Sequence, residues 1–267
     1  MSIELDIELI RNIVMKGKRL DGRKFDEYRQ LEIETNIVSS AEGSARVRLG
    51  NTEVLAGIKM EIGTPYPDSP DAGVMSVSAE LIPLASPEFE MGPPRERAIE
   101  LARVVDRAIR ESKVIDFNKL CIKENQAVWM VFIDIDVFND DGNLIDACGI
   151  AAVAALMTAK MPKNKYENEK YSVEYGTKTE ESLPMNGIPI STTFVKIGTT
   201  LLTDPGLAEF EALDARLTVG TLEDAKICSL QKGGSVGMTT LEIEKIIDMA
   251  IARGDDIRAT IKRSLAE

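Results

Sequence analysis

Apolar residues recur with helical spacing in four stretches of the chain, which predicts helices in both of its halves. The stretches cover residues 3–15, about 95–112, 147–158 and 241–253. The last of them begins with a capping-box pair, Thr239 and Glu242. It reaches Gly254, which we interpret as the stop signal of that helix.

Other stretches alternate apolar and polar side chains, with the period of two that is typical of β-strands. They lie within residues 31–34, 44–58 and 129–137. In the second stretch, Gly50-Asn51 separates two alternating runs. Because glycine readily takes the positive φ of the first turn position, this pair predicts a hairpin with a type II′ turn.

One segment of the first half recurs in the second half. Residues 47–54 match residues 195–202 at a constant offset of 148, and a helix is predicted after each copy. We therefore predict an α+β protein with a duplicated unit, two β-sheet-plus-helix subdomains related by an internal repeat. The predicted divisions are residues 1–30 (N-terminal helix and basic segment), 31–162 (first subdomain), 163–185 (polar connector) and 186–267 (second subdomain with the C-terminal helix).

Composition and charge exclude several classes of function. The chain has 32 Lys plus Arg against 44 Asp plus Glu, a net charge of −12. Contact with a nucleic acid would therefore require a local basic patch or a basic partner, because phosphate binding needs positive charge. The chain has no histidine, which removes His-based catalytic triads and zinc sites. Cys121, Cys148 and Cys228 lack CxxC spacing and are interpreted as buried thiols of a reducing compartment.

The hydrophobic stretches are too short for a membrane span. The longest, residues 147–159, has 13 residues, whereas a membrane-spanning helix needs about 20. The N-terminus is acidic and has no signal-peptide core. We expect a soluble, cytoplasmic protein with no membrane partner.

Two local motifs could carry chemistry, but both favour a structural interpretation. The first is a series of carboxylates that could hold Mg²⁺ or Ca²⁺, although strand alternation and an Asp-Gly turn also explain them. Its members are Asp134, Asp136, Asp140, Asp141 and Asp146. The second is the glycine-rich segment 231–237, which fits neither the P-loop nor the GxGxxG spacing and favours a tight turn.

A row of arginines lies on one face of the second predicted helix. It consists of Arg103, Arg107 and Arg110, with Arg95 and Arg97 a turn or more earlier. Such a row suits phosphate binding. The alternative is a solvated face on which nearby carboxylates neutralise the row, and the residue pattern alone favours it. Those carboxylates belong to Glu100, Asp106 and Glu111.

The chain also carries an ordered series of motifs along nearly its whole length. They are RLDGR at 19–23, GSARVRLGNT at 43–52, DIDV at 134–137, DGN at 141–143, LLTDP at 201–205 and DARLT at 214–218. In order and spacing this series resembles the RNase PH family. Within that family the chain is similar to the non-catalytic ring subunits of the archaeal exosome, most closely over residues 92–107.

The resemblance implies a duplicated fold whose subunits pair and close into a six-membered ring. Active family members remove 3′ nucleotides from RNA with inorganic phosphate as the nucleophile. They hold the phosphate with a hydroxyl and an arginine, and they use two aspartates six residues apart. This chain departs at both places: Leu144 and Ile145 stand at the phosphate-binding positions, and Phe210 stands six residues after Asp204. An apolar pair cannot offset the charge of a phosphate.

By resemblance, we therefore expect a structural and RNA-guiding subunit without catalytic residues, metal or cofactor of its own. The expected partners are a catalytic RNase PH-like paralogue (heterodimers, three of which form a hexameric ring), an RNA-binding cap subunit and single-stranded RNA. The resemblance reverses the interpretation of the arginine row: Arg103 and Arg107 become the expected RNA contacts, and Arg95 and Arg97 are weaker candidates.

Three alternatives stay open at this stage. The chain could itself be a phosphate-dependent 3′–5′ exoribonuclease that uses Asp204 with Glu209. It could be a purely structural ring subunit with no RNA contact. It could also be a small-molecule enzyme on the same fold, although the sequence names no substrate for one.

Overall fold

The computed structural model describes residues 3–167 and 170–266. This part of the chain has five α-helices and twelve β-strands, with a short 3₁₀ turn at Phe117–Leu120. The helices are α1 Ile3–Met15, α2 Glu96–Ser112, α3 Leu144–Thr158, α4 Leu207–Glu211 and α5 Thr240–Ser264. The strands are β1 Leu31–Thr35, β2 Gly43–Leu49, β3 Thr52–Gly63, β4 Val74–Leu81, β5 Cys121–Lys123, β6 Ala127–Asn139, β7 Lys160–Glu167, β8 Lys170–Ser182, β9 Ile190–Ile197, β10 Thr200–Thr203, β11 Ala215–Thr221 and β12 Ile227–Gly234.

The first half is a mixed sheet in the order β1-β2-β3-β6-β4, with β5 paired to β6. The predicted alternation on β6 is confirmed: Ile133, Ile135 and Val137 are buried, whereas Asp134 is exposed. Helices α2 and α3 pack against this sheet. Helix α3 also contacts β9 of the second half, so it is covered on several sides. Its nearly uniform run of small and apolar residues fits such a position.

The second half is an antiparallel sheet in the order β10-β9-β11-β12, with α5 packed on it. The repeated hairpins are confirmed. The β2–β3 hairpin turns at Gly50 with φ +59°, and the β9–β10 hairpin turns at Gly198 with φ +60°, as a type II′ turn requires. The copies differ in their third strand: β6 pairs with β3, the second strand of its hairpin, whereas β11 pairs with β9, the first.

The terminal helices join the two halves. Helix α1 packs Ile10 and Val14 against Val195 and Leu202 of the second sheet. Helix α5 packs its first part on the same sheet and then sends Ile257, together with Ile261, into the core of the first half. Helix α1, from the predicted segment 1–30, thus packs on the second half, and α5, from the segment 186–267, contacts both halves.

The interpretation of Gly254 as a helix stop is wrong. Helix α5 continues through it to Ser264. The residue is buried, and a Cβ at this position would lie 2.5 Å from the Thr221 Oγ1 atom. Glycine is needed here for close packing of the helix on the end of β11. The predicted capping box is confirmed, because Thr239 and Glu242 exchange side-chain-to-backbone hydrogen bonds.

Other expectations are refined. The polar segment 163–185 forms most of a two-stranded β7–β8 ribbon. Strand β4 is a further strand that the predicted stretches of alternation do not include. Of the three cysteines, only Cys148 is buried, whereas Cys121 and Cys228 are half-buried, so the expectation of three buried thiols is wrong for those two. Burial raises the pKa of the Cys148 thiol to about 12. No helix in the described ranges has the length and apolar character of a membrane span.

Candidate functional site

The start of α3 and the loop after β10 lie against each other. Gly142 has φ +86°, and a Cβ on it would lie 2.5 Å from the backbone of Gly206. Asn143 follows in the left-handed conformation, with φ +52°, and is the N-cap residue of α3, although its side chain makes no capping hydrogen bond. This close backbone approach brings the positions of Leu144 and Ile145 beside the loop that carries Asp204.

Leu144, Ile145 and Phe210 line one small cleft. Its volume is about 70 Å³, and the guanidinium groups of Arg97 and Arg216 complete its polar wall. Pockets that bind small molecules usually measure about 300–1,000 Å³. The structure thus brings together the three residues that are expected, by resemblance, to depart from the family pattern, in a space too small for a nucleotide.

The two arginines of this cleft are already paired. Arg97 Nη2 lies 2.7 Å from Asp140 Oδ2, and Arg216 pairs with Glu100. Both guanidinium groups also lie over the ring of Phe210, at 5.9 Å and 5.6 Å from its centroid. Both guanidinium groups are therefore already bound by carboxylates and an aromatic ring, and neither charge is free to bind a phosphate.

Asp204 is the centre of a buried ion-pair network. Arg29 Nη2 and Asn143 Nδ2 each donate a hydrogen bond of 2.8 Å to its Oδ1 atom, and Arg23 Nη1 donates one of 3.0 Å to Oδ2. Burial alone would raise the pKa of this carboxyl, but the hydrogen bonds and charge of Arg29 hold it below its ordinary value. The carboxylate is thus ionised and fully engaged.

Glu209 is engaged in the same way. Arg19 donates to both of its carboxylate oxygens, at 2.8 Å and 2.5 Å, and the Gly206 N–H donates at 2.9 Å. Arg19 is buried although it belongs to the basic segment after α1. The alternative in which Asp204 and Glu209 act together as a catalytic pair would require both carboxylates to leave these arginines.

The acidic series does not converge on one point. Asp146 is fully buried, where it accepts hydrogen bonds from Thr193, Tyr28 and Asn143. Burial raises its pKa to about 6. Asp134, by contrast, is exposed on β6 and accepts a hydrogen bond from Ser78. Within the residues that the structure describes, no group of three or more Asp, Glu, Cys or His side chains could hold a metal ion.

Arg103 and Arg107 form an exposed surface on α2, which we call the arginine face. The carboxylates expected to neutralise it lie elsewhere: Asp106 pairs with Arg110 at 2.6 Å, and Glu100 pairs with Arg216. In the described part of the chain, Arg103 has no hydrogen-bond or ion-pair partner, and Arg107 has only the neutral amide of a glutamine. Of the weaker candidates, Arg95 pairs with Glu90 and Arg97 with Asp140.

This lack of carboxylates is unusual in the molecule. The chain has fifteen arginines, and twelve of them form an ion pair with a carboxylate. Among the described residues the exceptions are Arg103, Arg107 and Arg263. The two on α2 also line a cleft of about 600 Å³ between that helix and β12, which is within the usual range for a small-molecule pocket.

Sequence reasoning missed several residues that the site depends on. Arg29 and Arg216 lie far along the chain from the carboxylates they bind, and no local pattern signals those partners. Gln231 belongs to the glycine-rich segment 231–237, whose first four residues are in fact the end of β12. Its Gly233 lies beneath the guanidinium of Arg216, where a Cβ would be 2.9 Å from Nη2.

Comparison with known protein families gives two matches. Residues 27–162 match the 3′ exoribonuclease family, domain 1, and residues 187–253 match domain 2 of the same family. Together they span most of the chain.

Individual proteins agree with these matches. The chain is 50% identical over 253 residues to the exosome complex component Rrp42 of Thermococcus gammatolerans, covering 93% of this chain and 91% of that protein. Among solved structures, it is similar to a chain of the Archaeoglobus fulgidus exosome with RNA bound to the active site, with a TM-score of 0.87, 42% identity and coverage of 96% and 98%. It is also similar to a chain of an archaeal exosome core, with a TM-score of 0.85, 39% identity and coverage of 97% of each chain.

Proposed function

The chain belongs to the 3′ exoribonuclease, or RNase PH, family, and we propose that it is a subunit of an archaeal-type exosome ring that takes part in 3′-to-5′ phosphorolytic RNA degradation. In this role it does not cleave RNA itself. It structures the active site of a catalytic paralogue and helps to bind the RNA. The identity of 50% to an exosome component over most of the chain supports the assignment to this complex.

The non-catalytic role is carried by one observation. The three apolar residues at the family's phosphate and aspartate positions, Leu144, Ile145 and Phe210, close a cleft of about 70 Å³. The remaining carboxylates, on Asp204 and Glu209, are bound to arginines. A site that must bind phosphate and stabilise a charged transition state needs free cations and donors. In the described part of this cleft the two arginines, Arg97 and Arg216, are already paired with carboxylates.

The RNA contact is assigned to the arginine face. Arg103 and Arg107 are exposed, and neither pairs with a carboxylate among the described residues, so they can bind backbone phosphates without reading the base sequence. Together they place two positive charges that no carboxylate pairs, among the described residues, on a chain whose net charge is −12. A subunit that contacts RNA only along this edge can carry both the two unpaired arginines and a net negative charge.

The similarity to exosome chains supports a complex with other exosome subunits and with RNA, and we propose the individual partners. They are a catalytic RNase PH-like paralogue, with which the chain forms heterodimers that close three at a time into a hexameric ring, an RNA-binding cap subunit, and single-stranded RNA. We place the complex in the cytoplasm. No metal or cofactor is assigned to this subunit.

The test is phosphate-dependent shortening of 5′-labelled RNA by the purified chain, by the catalytic paralogue, and by their mixture. We expect the chain alone to release no nucleoside diphosphate and the mixture to be faster than the paralogue alone. Release of nucleoside diphosphate by the isolated chain would contradict the non-catalytic role. A mixture no faster than the paralogue would contradict the role in structuring the partner's site.

A further inference from the structure

Gln231 is the one side chain in the described part of the protein that binds the guanidinium of Arg107. The Arg107 Nη1 atom donates a hydrogen bond of 3.3 Å to the Gln231 Oε1 atom. Arg107 lies on α2 in the first half, and Gln231 lies on β12 in the second half. The contact therefore joins the two halves of the molecule at the arginine face.

The chemistry of this partner differs from that around the other arginines. Twelve of the fifteen pair with a carboxylate in this acidic chain. An amide oxygen accepts a hydrogen bond without carrying negative charge. A glutamate at position 231 would have the same reach and would cancel the charge of Arg107. Glutamine holds the guanidinium and leaves its full positive charge.

A second contact fixes the geometry around this hydrogen bond. Glu100, two turns before Arg107 on α2, pairs with Arg216 of β11. Arg216 lies opposite Gly233 of β12, two residues along the strand from Gln231. Helix α2 is thus tied to the second sheet at two points, with Arg103 between them. The cleft of about 600 Å³ lies along this stretch.

We propose that Gln231 is a positioning residue for RNA binding: it holds Arg107 across the cleft in a conformation ready to bind a backbone phosphate. A long arginine side chain loses rotamer freedom when it binds phosphate, so a neutral partner that restricts it beforehand improves affinity. This inference rests on the proposed function, and it adds a residue from the second half of the chain to the proposed RNA-binding surface.

The experiment measures the affinity of the complex of the full chain with its catalytic paralogue for 5′-labelled single-stranded RNA. In Gln231→Met the side chain keeps its length and loses the amide oxygen, and we expect about three-fold weaker binding. In Gln231→Glu the new carboxylate pairs with Arg107, and we expect binding to weaken by about ten-fold or more. Ser229→Ala, two residues earlier on the same strand, is the matched control and should bind RNA as the unsubstituted protein does.

The salt dependence separates positioning from a general loss of structure. Gln231→Glu should make the negative slope of log affinity against log salt shallower by about 0.7, the value for one lost phosphate contact on a single strand. Gln231→Met should leave the slope unchanged, because the charge of Arg107 remains. In an Arg107→Ala background, Gln231→Met should have no further effect, since the interaction it removes is already absent.

The outcomes distinguish this inference from the function on which it rests. If Arg107→Ala weakens RNA binding and neither Gln231 variant does, the positioning role is wrong and the proposed function stands. If Gln231→Met weakens binding equally with and without Arg107, Gln231 acts by another route and the inference is overturned. If Arg107→Ala itself leaves RNA binding unchanged, the RNA-binding role and this inference both fail.

Discussion

Two regions of helix α2 differ in whether their arginines are paired with carboxylates. Near its start, Arg97 and Glu100 line the closed cleft, where each is matched by an oppositely charged partner. One turn later, Arg103 and Arg107 form the arginine face, where neither pairs with a carboxylate among the described residues. The same residue type is therefore structural in one turn and available to a ligand in the next. The two regions differ because the nearby carboxylates pair with other arginines than Arg103 and Arg107. The number of arginines in each turn does not explain the difference.

The comparison also shows how the closed cleft is built. Leu144, Ile145 and Phe210 form its apolar wall, and the arginines beside them pair with carboxylates. Asp204 is in turn paired with Arg23 and Arg29. A buried charge costs free energy unless it is paired, so removing one of these arginines would leave the carboxylate of Asp204 under-compensated.

The largest expected effect is a loss of stability when an ion pair of this buried region is broken. Arg29→Ala removes the strongest partner of Asp204 and leaves a buried carboxylate under-compensated, so we expect a loss of about 3–5 kcal/mol in the free energy of unfolding. Urea titration of the purified chain measures it. Arg48→Ala is the control, because the Arg48–Glu53 pair is exposed and should contribute less than about 1 kcal/mol. A loss below that value for Arg29→Ala would show that the two regions do not differ as argued.

The next effect concerns the arginine face. Arg103→Glu with Arg107→Glu removes two charge-assisted phosphate contacts, so RNA affinity of the assembled complex should fall by about 100-fold, with little change in unfolding free energy. Filter binding or fluorescence anisotropy over a salt series measures it. Arg110→Ala on the same helix serves as the control, because Asp106 already engages that charge. An equal loss of affinity in Arg110→Ala would remove the distinction between paired and unpaired arginines.

The smallest effect is a pH dependence confined to the buried region. The pKa of Asp204 is held below its ordinary value, with the ion pairs to Arg29 outweighing the effect of burial. Its stabilising contribution is therefore present above the unfolded value of about 3.9 and is lost as the pH falls below it. We expect the stability difference between the protein and Asp204→Asn to shrink below about pH 4 in acid-unfolding curves. A difference that stayed constant with pH would mean that the carboxylate is not stabilised as an ion.

Local chemistry was sufficient for much of the architecture. The bounds of α1, the start of α2 to within one residue, the hairpin turn at Gly50 and the capping box at Thr239 follow from periodicity and turn propensity. All of these depend on neighbours within a few residues, so the chain specifies them wherever it folds. The departures at Leu144, Ile145 and Phe210, by contrast, were predicted only through the resemblance to the RNase PH family.

Contacts between distant parts of the chain determined the rest. Gly254 has the local signature of a helix end, yet packing against Thr221 makes it an interior residue of α5. Arg19 and Glu209 are 190 positions apart, and Arg29 and Asp204 are 175 apart. No spacing rule reaches that far. Sequence shows which residues carry charge, but only the tertiary structure decides which charges are cancelled, because pairing depends on distances of a few ångströms that the fold alone sets.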